Sequence, residues 1–280
     1  MNKPKIAILG ANGMLGKEFL EKLSVDDRFE IKGFAREDFD VLDEVALEKF
    51  LGEFCPEVIV NCVAYTSVDD AETEREKAFE VNSRSVELLT RFVDAKIIHF
   101  STDYVFDGSN DDGYTEDTIP SPVNVYGESK LAGEAALKNA TGEWSVVRTS
   151  WLYGKNGKNF VDTMLKLAKE RDQIDVVSDQ VGSPTYSIDL VNAVVSNFLE
   201  PVLDGRPFPQ GIFHLTNAGT CSWFDFAKEI FALNRIAINV APVDSEKFPR
   251  PAKRPKFSIL LNTKLPELRS WKVALKDYLT

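Results

Sequence analysis

Tyr126-Gly127-Glu128-Ser129-Lys130 sets a phenol and an ammonium four residues apart at the start of an amphipathic run, on one face of a helix. A phenol ordinarily ionises at about pH 10, and a neighbouring ammonium favours the ionised form. Such a pair can donate a proton and recover it, which is the general-acid work that reduction of a carbonyl requires. Taken alone, the pair is also an ordinary feature of helix surfaces. Context decides for chemistry, because the apolar run 97–101 ends at Ser101-Thr102, and parallel sheets bind ligands beyond the carboxyl ends of their strands. There the Thr102 hydroxyl is expected to orient a substrate carbonyl against Tyr126, while Lys130 stabilises the tyrosinate and contacts a nicotinamide ribose.

The nicotinamide expectation comes from Gly10-Ala11-Asn12-Gly13-Met14-Leu15-Gly16, three glycines spaced G-x-x-G-x-x-G between a strand-like run and a helix-like one. Such a turn presents backbone N–H groups to a pyrophosphate at the positive end of a helix. Gly10 allows the tight turn, Gly13 the close approach and Gly16 the helix–strand contact. Asn12, Met14 and Leu15 fall in the same turn. The second strand is expected to end near Phe34-Ala35-Arg36, where an acidic residue would favour NAD and an arginine can pair with a 2′-phosphate. Arg36 therefore points to NADPH. Asp38 and Asp40 follow closely, so NADH stays open; Asp40 and Val41 are expected at the same end of the cofactor site.

The elements that must position these groups are legible as short apolar runs at Lys5–Leu9, 29–34, 58–63, 97–101 and Trp144–Thr149. Helix-spaced apolar residues lie between them at 14–23, Glu44–Phe54, 72–93 and 124–138. The alternation predicts an α/β fold, a Rossmann-type doubly wound parallel sheet covered by helices on both faces. After Thr149 the rhythm changes: Lys155-Asn156-Gly157-Lys158 reads as a loop, 160–169 and 224–233 as helices, and 201–210 as an irregular connection holding three prolines. A smaller mixed α/β substrate lobe is therefore expected. Residues 1–150 form the dinucleotide-binding domain, 175–215 contribute to it, and 151–174 with 216–280 build mainly the lobe.

Bulk properties narrow the partners. The 280 residues carry 44 acidic and 33 basic side chains, and a net charge of −11 gives no general attraction to nucleic acid or anionic lipid. No apolar run approaches the roughly 20 residues needed to cross a bilayer. The first strand starts too close to Met1 to leave room for a signal peptide, so a cytoplasmic protein is expected. Cys55, Cys62 and Cys221 are an odd number without CxxC spacing, each in an apolar context expected of a buried free thiol. The two histidines, His99 and His214, lie in strand-like runs and read as core residues, so no metal site is expected.

These motifs, in this order, resemble the extended short-chain dehydrogenases/reductases, and within them the dTDP-4-dehydrorhamnose reductases. The likeness runs almost from end to end. It includes the glycine turn, Asn61-Cys62-Val63-Ala64-Tyr65-Thr66-Ser67-Val68-Asp69, Ser101-Thr102-Asp103-Tyr104-Val105-Phe106, 126–134, Arg148-Thr149-Ser150-Trp151-Leu152-Tyr153-Gly154, Asn159-Phe160, Gln180-Val181-Gly182-Ser183-Pro184-Thr185 and Arg254-Pro255. The resemblance implies that Thr102, Tyr126 and Lys130 are the catalytic trio and that Ala64, Tyr65 and Thr66 line the cofactor cleft. It implies too that Val68, Asp69 and Trp151 face the sugar. From the residues alone, Trp151 could equally fill the core between lobes, and Asp69 could be a helix N-terminal charge. Related 4,6-dehydratases carry Asp-Glu after the threonine where this chain has Asp103-Tyr104, so hydride and proton delivery is implied rather than elimination of water.

The substrate expected is a nucleotide-linked 4-keto-6-deoxy sugar, with Arg250, Lys253 and Arg254 as candidate contacts to its diphosphate. Another nucleotide-sugar reductase or epimerase is an alternative. So is a non-catalytic NADP-binding subunit, since the regulatory subunit of methionine adenosyltransferase resembles the same family. Magnesium-linked dimers occur among relatives, but no matching acidic cluster is legible, and monomer and homodimer are both compatible with the sequence.

Overall fold

In the computed structural model, which describes residues 3–92 and 94–280, the five apolar runs become parallel neighbours in one sheet. They are β1 (Lys5–Leu9), β2 (Glu30–Phe34), β3 (Val58–Asn61), β4 (Lys96–Thr102) and β5 (Trp144–Thr149). Shorter strands follow: β6 (Leu152–Tyr153), β7 (Gln173–Val177), β8 (Val181–Gly182), β9 (Thr185–Tyr186), β10 (Gly211–His214), β11 (Cys221–Ser222) and β12 (Asn239–Val243). β10 joins the central sheet beside β5, giving the order β2-β1-β3-β4-β5-β10. The chain runs outward from β1 to β2 and then crosses back over β1 to β3 on its other side. That reversal opens a crevice beyond their carboxyl ends.

Both faces of the sheet are covered, which is why the central strands read as unbroken apolar runs. Ile6 and Ile8 pack on one side with Phe19, Leu190 and Val194, whereas Ala7 and Leu9 pack on the other with Leu47, Leu51, Val86 and Leu137. The helices Met14–Ser24 and Ser187–Val194 thus share one face, and Glu44–Phe54 and Val125–Lys138 the other. A third core gathers Tyr153, Val161, Met164, Ile174, Phe226, Ile230 and Trp271 from helices Phe160–Glu170, Trp223–Leu233 and Trp271–Tyr278 and the parallel pair β7–β12.

Several expectations change. The helix expected at 72–93 begins as a 3₁₀ turn, Asp70–Glu72, and then runs Arg75–Phe79, a π-helical turn Glu80–Arg84, and Ser85–Leu89. Its expected end, Val93, lies outside the described residues, as do Met1 and Asn2. The π turn presents Asn82, whose side chain accepts from Tyr65 N (2.8 Å) and donates to Tyr65 O (3.1 Å) and Ser129 Oγ (2.9 Å). One extra residue in the turn thus ties the loop after β3 to helix Val125–Lys138. β3 stops at Asn61 because that side chain turns to accept from Val63 N. The proline-rich connection holds a short helix, Glu200–Leu203, with Pro201 in its first turn, where a missing N–H costs nothing. Cys55 is exposed rather than buried: it caps helix Glu44–Phe54 in the left-handed region at φ 49°. Among the described residues no helix is long and apolar enough to cross a membrane.

Candidate active site

The glycine turn sits where the sequence places it, between β1 and helix Met14–Ser24. Gly10 takes φ +75°, and a Cβ there would stand 3.0 Å from the Cys62 and Val63 backbone. A Cβ on Gly16 would meet Gly10 O at 2.2 Å, so this glycine lets the helix lie against the turn. The first-turn N–H groups lack intrahelical acceptors and open into a cleft. One end of it, about 400 Å³, is lined by Gly10, Gly13, Arg36, Asp40, Val41, Ala64 and Tyr65. The other, about 620 Å³, is lined by Met14, Leu15, Thr66, Thr102, Tyr126, Lys130 and Trp151. The two share Gly13, Cys62, Val63 and Ala64, and form one elongated groove. Asn12 and Gly16 are on neither wall; Asn12 is exposed and donates to Glu37 Oε2 (2.9 Å), while Gly16 supports the turn from behind.

Around Arg36 the charges sort themselves. Asp38 accepts from Ala35 N (2.7 Å) and Asp40 from Leu42 N (3.0 Å), whereas Arg36 is exposed with no ion-pair partner among the described residues. At the opposite end Thr149 Oγ1 is buried on the groove wall with no hydrogen-bond partner among the described residues. A cradle of backbone N–H groups, a free guanidinium and an orphaned hydroxyl fit a phosphorylated dinucleotide.

Tyr126 opens helix Val125–Lys138, whose N-cap Asn124 accepts from Gly127 N (2.8 Å) and donates to Lys253 O (2.8 Å). Glu72 accepts from Val125 N (2.9 Å), fixing the same end. Gly127 permits the approach to the turn Asp103–Val105 that follows β4, since a Cβ there would fall 2.1 Å from Tyr104 O. The Tyr126 ring meets Tyr104 edge-on at 5.8 Å. Burial pushes the Tyr126 phenol up to about 12, with the Thr102 hydroxyl pulling the other way. Lys130 Nζ donates to Phe100 O (2.6 Å) and stands 3.2 Å from His99 Nε2, and burial brings its pKa down to about 8. The Thr102 hydroxyl donates to Asp103 Oδ1 (2.9 Å) and accepts from Tyr104 N (3.2 Å). Burial raises Asp103 to about 6.

Beyond Tyr104, a third cavity of about 520 Å³ runs toward the third core, lined by Asp69, Tyr104, Met164, Trp223, Arg250 and Arg254 among others. Asp69 bridges to Arg254 (2.9 Å) and more loosely to Arg250 (3.8 Å), and accepts from Ala252 N (3.3 Å). It tethers the arginine loop, and it also stands at the N-terminus of the 3₁₀ turn Asp70–Glu72. Lys253 is exposed and off this wall, and Val68 is half-buried outside the three cavities. Trp151, at φ 46°, lines the groove but stacks one face on Trp223, with ring centroids 3.4 Å apart. The stack on Trp223 is the core contact that the residues alone allowed.

Sequence reasoning missed Lys77, Ser150 and Lys158, which line the groove, and Tyr104, Phe160 and Trp223 around the third cavity. Lys158 had a signal: a cation in a glycine loop of an acidic chain, folded so that Gly157 lies over Met14. His99 and His214 are fully buried, as strand positions suggested. Among the described residues no group of three or more His, Cys, Asp or Glu could hold a metal ion.

Comparison with known proteins agrees with this architecture. Residues 4–280 match the family described as RmlD substrate binding domain. The chain is 36% identical to the spore coat polysaccharide biosynthesis protein SpsK of Bacillus subtilis, covering 98% of this chain and 96% of that one. It is 39% identical to a dTDP-4-dehydrorhamnose reductase of Aggregatibacter actinomycetemcomitans, covering 98% and 97%. The crystal structure of a dTDP-4-dehydrorhamnose reductase from Bacillus anthracis in complex with NADP superposes with a TM-score of 0.92 at 39% identity, covering 99% of each chain. Matched over nearly its whole length by motif, family model and fold, the chain belongs to the RmlD substrate binding domain family, the family of the dTDP-4-dehydrorhamnose reductases.

Proposed function

We propose that this protein reduces the C4 ketone of dTDP-4-dehydro-L-rhamnose to dTDP-L-rhamnose, with Tyr126 as proton donor. The observation that carries the reading is the convergence of Thr102, Tyr126, Lys130 and Trp151 on one groove wall, continuous with the glycine cradle. NADPH, the cofactor that the free Arg36 guanidinium favours over NADH, supplies the hydride when bound. Gly10, Gly13 and the first turn of helix Met14–Ser24 would hold its diphosphate, Arg36 its 2′-phosphate, and Ala64 and Tyr65 the groove floor between.

Tyr126 remains a neutral phenol throughout the physiological range, so its proton is available as negative charge develops on the ketone oxygen. Lys130, as an ammonium, stabilises the tyrosinate left behind. Asp103 keeps Thr102 in place beside Tyr126. The nucleotide diphosphate sits in the third cavity, where Arg250 and Arg254 offer charge-assisted hydrogen bonds and Asp69 holds them in position. Trp151, braced by Trp223, presents its free edge to the deoxysugar. Residues of the third core thus act as the substrate lobe, closing over a sheet that carries the cofactor.

The test is loss of absorbance at 340 nm with dTDP-, UDP- and GDP-linked keto-sugars in parallel, each with NADPH and NADH. Oxidation restricted to dTDP-4-dehydro-L-rhamnose supports the reading. Turnover of another sugar nucleotide alone replaces the substrate, and no turnover of any favours a binding subunit.

A further inference from the structure

His99 is the buried titratable group in the site that the reduction itself leaves unused. It lies in β4 with no exposed surface, between Asn61 on one side and Lys130 on the other. The hydrogen bonds around it have a direction. Val63 N–H is a fixed donor and gives its hydrogen to Asn61 Oδ1 (3.1 Å). The Asn61 amide nitrogen therefore faces His99 Nδ1 (3.1 Å) and must donate to it. With Nδ1 accepting, a neutral imidazole carries its hydrogen on Nε2, which points at Lys130 Nζ 3.2 Å away. An ammonium offers only hydrogens and cannot accept one, whereas an amine has a lone pair. Phe100 O, 2.6 Å from Nζ, takes a hydrogen from either form.

We propose that Asn61 and His99 are positioning residues that favour the neutral amine of Lys130 in the unloaded enzyme, so that in alkaline solution seating the nicotinamide ribose draws a proton from solvent onto Lys130. The proposal rests on the reading that Lys130 meets the cofactor ribose. On filling of the groove, the side chain leaves His99 for hydroxyl acceptors that favour the ammonium, the form needed beside a tyrosinate. Burial, against the charges around it, is what favours the amine. From its own helix Lys130 faces Tyr126, whose phenol stays neutral, and Glu134, which favours the ammonium but is bound by Arg148 of β5. From the end of β3 it faces the Cys62 thiol, which burial keeps protonated, and from β4 it faces His99, which burial holds well below its usual range. Burial outweighs the Glu134 attraction and brings Lys130 down to about 8, so the uptake becomes visible above that pH.

Titration calorimetry of the full chain with NADP⁺, in buffers of different ionisation enthalpy, reads the protons taken up. A resting pKa of about 8 gives an uptake of about 0.1 proton at about pH 7 and about 0.9 at about pH 9, where the 2′-phosphate is fully ionised and contributes nothing. In Lys130→Met the uptake at the higher pH disappears. Asn61→Asp accepts from His99 Nδ1 and turns the Nε2 lone pair toward an ammonium, so the uptake falls toward zero while NADP⁺ still binds. His99→Phe, which removes the Nε2–H donor, reduces it as well. No pH-dependent uptake in the wild type overturns the proposal, as does an uptake that survives Lys130→Met or is unchanged in both Asn61→Asp and His99→Phe. A structural role for these two residues would not move a proton count. If instead Lys130→Met binds NADP⁺ with unchanged affinity at the lower pH, the ribose contact itself fails.

Discussion

Removing the charge of Glu134 should unfasten the catalytic helix. Glu134 lies one turn beyond Lys130 and is fully enclosed together with Arg148. Its Oε1 accepts from Ser101 Oγ (2.6 Å) and Arg148 Nε (2.8 Å), and its Oε2 from Arg148 Nη2 (2.6 Å). His214, kept neutral by burial with its pKa near 4, accepts a further hydrogen from Nη1 of that guanidinium at 3.4 Å. Glu134→Gln preserves shape but turns an NH₂ toward groups that are already donors and leaves Arg148 without a counter-charge. Breaking one side of a buried pair costs about 3–5 kcal/mol, a large part of the roughly 5–15 kcal/mol that keeps a protein folded. Urea unfolding followed by circular dichroism should show the midpoint falling by about 1 M or more at a slope of about 3 kcal/mol/M. Glu134→Leu combined with Arg148→Met, which removes both charges, should recover most of the loss. A Glu134→Gln penalty below about 1 kcal/mol, or a double variant worse than the sum of the singles, would refute the reasoning.

Other expectations follow from the same geometry. Gly16→Ala forces a Cβ onto Gly10 O, which no side-chain rotation relieves; a shift of the turn costing about 1–3 kcal/mol should weaken NADP⁺ by about 5- to 150-fold in calorimetry. Arg36→Ser should raise the KM for NADPH by about 10- to 100-fold and leave that for NADH nearly unchanged, the loss of one charge-assisted contact. The raised pKa of buried Asp103 means its protonated form is the one the fold favours. That stability is complete below about pH 4 and is lost as pH rises through about 6. Asp103→Asn should accordingly be more stable than the wild type at neutral pH, by of order 2–3 kcal/mol in chemical unfolding, with the difference vanishing in acid.

What the sequence made legible is what short-range pattern controls. β1 and β5 and helix Glu44–Phe54 appear with the bounds that their apolar spacing suggests, and the glycine turn, Thr102, Tyr126 and Lys130 share one groove. What it concealed depends on partners distant in the chain. β10 is a four-residue run whose membership of the sheet is set by pairing with β5, more than 60 residues earlier. Trp151 is half core because Trp223 reaches it across the third core, and Asp69 is a tether because Arg250 and Arg254 come from the tail. The π turn follows from Asn82 satisfying Tyr65 and Ser129 at once, which no helical periodicity encodes. Cys55 sits in an apolar stretch but falls at a helix end, where the backbone turns it outward. Lys130 shows the limit of spacing: four residues put it on Tyr126's face, yet its hydrogen-bond partners on β4 decide where Nζ points.

The central claim is tested most directly by Tyr126→Phe assayed for oxidation of NADPH with dTDP-4-dehydro-L-rhamnose. Loss of a positioned general acid should lower kcat by about 10²- to 10⁴-fold while NADP⁺ affinity stays within a few-fold of wild type. Turnover near the wild-type rate in that variant would contradict the account.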